Sequence, residues 1–229
     1  VTTTVTVTST SVNSTTTEFL THYRVQLALH HLRSGEGRTL LLLHGLGEQS
    51  PSTAPDWAEA WPGPIAALDF TGHGSSTVPA GGGYSAEILL GDADIALAHL
   101  GEATVVGRGL GAYVALMLAG ARPQQVRGAI LCDGPGLWGG ASGPTSSSFT
   151  VLPDERFAPD PYALLELSRD LRPRDYAALF ARLAVEHSGL DEPITVTTIV
   201  RPPWLETVVG EVGVAEGTLA QALATYAAG

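Results

Sequence analysis

Gly107-Arg108-Gly109-Leu110-Gly111 is the stretch that decides how this chain folds. A β-branched run, Ala103 to Val106, leads into it, and an apolar run, Leu110 to Ala121, leads out. Three glycines in five residues, between a strand pattern and a helix pattern, predict a tight strand–turn–helix. The free N–H groups of the helix's first turn would point into that turn, which suits an anion or a developing negative charge.

Alternation of strands and helices extends outward from this point. Thr39 to Leu43 is continuously apolar, as for a strand buried on both faces, and ends at His44-Gly45-Leu46-Gly47. Ile65 to Phe70 is a further strand, followed by Thr71-Gly72-His73-Gly74-Ser75-Ser76. Gly128 to Leu131 and Ile194 to Val200 are also read as strands, and Tyr84 to Leu100, Asp175 to Ser188 and Leu219 to Ala228 as helices. Tyr162 to Leu171 is a helix behind Asp160-Pro161, with Asp as N-cap and Pro at the first helical position. Arg24 to His30 alternates as a strand, and the turn Ser34-Gly35-Glu36-Gly37 predicts a hairpin with the strand after it. This order predicts a mostly parallel sheet covered on both faces. Residues 1–17 are a Thr/Ser/Val tract, read as a tail or as an added edge strand.

Composition sets limits. The 229 residues suffice for one α/β domain, and 44% are hydrophobic. The net charge is −11, and no basic run is present, so neither nucleic acid nor an anionic membrane is expected as a partner. Without a signal-like N-terminus or a spanning apolar run, a cytoplasmic location is expected. Cys132 is the only cysteine and reads as a buried thiol rather than a nucleophile. No metal site is expected, because no two histidines share a ligating helix spacing and His30 and His31 point to opposite faces of a strand. No cofactor is expected, and a homodimer is left open.

His44-Gly45, Asp69-Phe70-Thr71-Gly72-His73-Gly74 and the 107–111 turn, in that order, resemble the α/β-hydrolase superfamily. The resemblance implies a core of residues 18–133 and 191–229, with 134–190 as a loop and short helical cap. It also makes 107–111 a G-x-S-x-G nucleophile elbow, a sharp turn that presents a serine. Gly109 holds the serine position. Leu46 and Leu110 take the positions whose backbone N–H groups would form an oxyanion hole. The family's acid should follow the Ile194–Val200 strand, where Arg201-Pro202-Pro203-Trp204 stands, and no histidine occurs after His187. Nucleophile, acid and base are therefore all missing at their family positions, and ordinary serine hydrolysis is not expected.

Other groups at the strand ends keep two readings each. His44, His73, Asp133 and His187 are candidates for acid–base work, or they support turns and helix ends. Arg108 could clamp a carboxylate or enolate, or pair with an acid such as Asp133 or Asp69. Together with His44, Gly45 and Gly109, Trp138 and Trp204 are candidates to line a ligand pocket. The leading expectation is a protein with a degenerate triad that binds a small apolar, carboxylate-bearing or enolate-bearing ligand. A lyase, isomerase or cyclase using the oxyanion donors is the second reading, and a scaffolding pseudoenzyme the third. Gly107-x-Gly109-x-x-Ala112 with Asp133 downstream also fits a dinucleotide fingerprint, the weakest alternative.

Overall fold

The computed structural model describes residues 15–136, 158–168 and 172–229. Trp138 and most of the 1–17 tract lie outside them. Among the described residues, eight strands form one sheet: β1 (Thr16–His22), β2 (Val25–Arg33), β3 (Thr39–Leu43), β4 (Ile65–Leu68), β5 (Ala103–Arg108), β6 (Val126–Cys132), β7 (Ile194–Val196) and β8 (Val214–Glu216). Their order is β1-β2-β4-β3-β5-β6-β7-β8. β1 and β2 run antiparallel to their neighbours, and β4 through β8 pair in parallel. The helices are α1 (Ala86–Leu100), α2 (Leu110–Ala121), α3 (Pro161–Leu167), α4 (Arg174–His187), α5 (Pro203–Val209) and α6 (Leu219–Ala228).

The central elements follow from the pattern of apolar residues. All five residues of β3 are buried, as a strand covered on both faces requires. Helix α2 is buried from Leu110 through Gly120 because it lies between the sheet and helices α1 and α4. Its N-terminal end comes very close to the strands, and a Cβ on Gly111 would stand 2.3 Å from the Leu43 carbonyl oxygen. Only glycine permits that approach.

Three differences from the sequence pattern matter. The expected hairpin of β2 with β3 does not form; β2 pairs with β1 and β4, and β3 lies between β4 and β5. The hairpin is instead β1–β2, turned at Tyr23, which takes φ 54°. Helix α4, expected in a cap, lies against α2 and α5. Its small residues Ala177, Ala178, Ala181 and Ala184 are buried there, and Gly120 of α2 admits the Phe180 backbone. Helix α3 reaches the strand ends: Asp160 caps it through the Tyr162 N–H and accepts the Tyr84 hydroxyl at 2.6 Å.

Candidate functional site

The turn between β5 and α2 puts Gly109 at φ 50°, ψ −109°, a backbone conformation that costs an ordinary residue about 1–3 kcal/mol. The Leu46 and Leu110 N–H groups converge as a donor pair. They meet on an oxygen of the chain itself, each donating to the Pro135 carbonyl at 2.9 Å. The same oxygen fills the space above Gly109, where an added Cβ would lie 2.1 Å from it. Gly136 lies as close, since a Cβ there would meet the Leu110 nitrogen at 2.2 Å. The segment Gly134-Pro135-Gly136 is thus laid across the turn by backbone alone.

Beside this plug is a cavity of about 370 Å³, walled by Gly109, Ala112, Cys132, Thr198, Val200 and Trp204, among others. Trp204 is buried and meets Tyr113 edge-on at 4.9 Å between ring centroids. Thr198 is buried too, and its hydroxyl has no hydrogen-bond partner. Burial pushes the Cys132 thiol up, against the pull of a 3.3 Å hydrogen bond from Thr197, which leaves it protonated and unactivated at neutral pH.

The remaining candidates are engaged elsewhere. His44 is buried; its Nε2 accepts from the Phe70 N–H at 3.1 Å, so Nδ1 carries the proton and donates to the Gly45 carbonyl at 2.8 Å. His73 repeats the arrangement, accepting from the Gly47 N–H at 3.2 Å and donating to the Thr71 carbonyl at 3.1 Å. Burial lowers both imidazoles, His73 to about 4. Neither ring has a free nitrogen to take a proton from a ligand. Asp133 accepts the Ile199 and Val200 N–H groups at 2.8 and 3.1 Å and so fixes the loop after β7. Asp69 serves its own turn, accepting from the Ser50 and Ser75 N–H groups at 2.7 and 2.8 Å. Although burial opposes it, hydrogen bonds from His30, Ser75 and Ser50 hold its carboxyl well below the usual range.

Two sequence expectations need correction. Arg108 pairs with neither Asp133 nor Asp69. It makes a two-pronged pair with Glu48, 3.1 Å from Nε and 2.7 Å from Nη2, and Glu48 also accepts the Gly45 N–H at 3.0 Å. Glu48 thereby ties the loop after β3 to the turn after β5. His187, a candidate for acid–base work, has a half-exposed side chain in the last turn of α4, 3.8 Å from Glu186.

The family model described as "Alpha/beta hydrolase family" matches residues 40–227. The chain belongs to this family. Among curated proteins none matches it. The α/β-hydrolase architecture is shared with the thioesterase domain from the curacin biosynthetic pathway. That likeness has 18% identity and a TM-score of 0.66 and covers 94% of this chain and 98% of that one. A bacterial membrane phospholipase A matches at 15% identity and TM-score 0.53, over 89% of this chain and 79% of its own. An epoxide hydrolase from Vigna radiata matches at 21% identity and TM-score 0.45, over 53% of this chain. The chain spans only 41% of that enzyme's length. At these identities the first two likenesses speak for the fold. No described helix of this α/β-hydrolase-family protein is long and apolar enough to cross a membrane.

Proposed function

We propose that this α/β-hydrolase-family protein binds a small, mostly apolar ligand in the cavity beside the elbow and performs no covalent catalysis. One observation carries the reading: Pro135 delivers its carbonyl oxygen to the Leu46 and Leu110 N–H groups, in the space a nucleophile's side chain would need. A nucleophilic hydrolase needs that space for its reacting atom. Gly109 has no side chain, the triad is degenerate, and both nitrogens of His44 and His73 are engaged. The volume of about 370 Å³ lies within the range of small-molecule sites, and Trp204, Val200 and Ala112 give it an apolar wall.

The oxyanion donors are met internally and Arg108 is met by Glu48, so the ligand is neutral rather than a carboxylate or enolate. The lyase, isomerase and cyclase readings find no free base in His44 or His73, whose nitrogens are engaged. The dinucleotide reading loses its support too, because Pro135 occupies the N-terminus of α2 and Asp133 is spent on backbone amides.

Two aromatic probes of one shape test the assignment, neutral 2-naphthol and anionic 2-naphthoate. Thermal-shift and Trp-fluorescence titrations should show saturable binding of the naphthol, with the naphthoate at least about tenfold weaker, as for an uncompensated buried charge. A fluorophosphonate should label no residue. Ester turnover with stoichiometric fluorophosphonate labelling, or failure of both probes to bind, would overturn the reading.

A further inference from the structure

A cluster at the β1 edge of the sheet, away from the elbow's strand β5, joins three elements. Glu18 of β1 lies opposite Leu29 of β2. His31, two residues beyond Leu29, shares its face of the strand. Helix α1 packs against β1 and brings His99, in its last turn, to the same place. Glu18 Oε2 stands 3.2 Å from His31 Nε2 and 3.0 Å from His99 Nε2. One ligand atom from each of the three residues lies within 4.8 Å of the other two.

We propose that Glu18, His31 and His99 bind a divalent transition-metal ion of the zinc class. An ion with tetrahedral bonds of about 2.0–2.1 Å holds its ligand atoms roughly 3.4 Å apart, so small side-chain rotations admit it. Two imidazoles with one carboxylate suit zinc, copper or nickel rather than calcium or magnesium, which prefer oxygen ligands throughout. The three side chains are 28–40% exposed, which gives the ion a path in and leaves water a coordination position. No spacing within a single element marks these ligands, because they come from two strands and a helix.

The position also gives the ion a role. β1 is an outer strand of the sheet, held by β2 on one side and by α1 across its face. His22 and Asp92, 2.6 Å apart, already pin β1 to α1 near one end. The ion pins it near the other end, as a clip that stabilises the folded chain because the unfolded chain lacks the site.

The metal-free full chain, titrated with Co²⁺ and followed by visible absorption, should saturate at one ion per chain with the spectrum of a nitrogen- and oxygen-bound ion. Zn²⁺ should displace it and raise the melting temperature. His99→Gln and Glu18→Gln should each weaken binding by more than about tenfold and abolish the thermal shift, while His187→Gln should leave both unchanged. The proposal is overturned by an absence of saturable binding. It is equally overturned if affinity and thermal shift survive both His99→Gln and Glu18→Gln, which would leave only the contacts of the two imidazoles with Glu18.

Discussion

At Gly109 the backbone takes the turn that presents a nucleophile in this fold, yet the residue there offers no side chain and the space above it holds the Pro135 oxygen. Gly109→Ser should therefore confer no ester hydrolysis. The new Cβ would meet that oxygen at 2.1 Å and take up a left-handed φ of 50°. Strain and overpacking together should cost about 2–4 kcal/mol. Urea unfolding of the variant should show a lowered midpoint, with no hydrolysis of p-nitrophenyl esters beside it. Undiminished stability would mean that the 134–136 segment yields freely and the plug is weak.

Among the elements, the 134–136 segment and the start of α2 depend on one another. The Leu46 and Leu110 N–H groups have Pro135 as their partner, and Gly136 lets the segment lie against Leu110. Gly136→Ala puts a methyl 2.2 Å from the Leu110 nitrogen and should lift the segment off. Amide hydrogen exchange at Leu46 and Leu110 should then speed up by roughly tenfold, the loss of about one net hydrogen bond each. Unchanged protection would show that these amides do not rely on Pro135. Arg108 and Glu48 are coupled in the same way, since the two-pronged pair joins the loop after β3 to the turn after β5. A local sequence pattern could not reveal this, because the partners are sixty positions apart.

Over the whole molecule, stability should depend on buried neutral histidines. Burial holds His73 at about 4, against 6.5 for a free imidazole, and lowers His44 as well. Below pH 6.5 the unfolded chain takes up these protons and the folded chain does not, so stability falls as pH drops and levels off only below about 4. His73 alone is worth about 3 kcal/mol over that interval. Urea midpoints measured from pH 8 to pH 5 should be level above 7 and fall steadily below 6.5; a level profile down to pH 5 would contradict the burial of both rings. The depressed Asp69 carboxyl adds a separate loss as pH falls further, below the range of a free carboxylate.

Local periodicity determined much of this protein. The apolar run Thr39–Leu43, the 107–111 turn, the helices at 110–121 and 219–228 and the Asp160-Pro161 cap could be read directly, because each depends on residues within a few positions. That glycine holds position 109 and that no histidine follows His187 was equally plain in the sequence. Short strand β8 and helix α5 were not legible, since three and seven residues carry too little periodicity. The tertiary structure alone decided which strand β2 joins, where α4 packs, what Arg108 pairs with, and that Pro135 covers the elbow. Those outcomes turn on backbone atoms and on partners far apart in the chain. A carbonyl oxygen is the same at every residue, so no side-chain pattern could mark Pro135 as the group that fills the site.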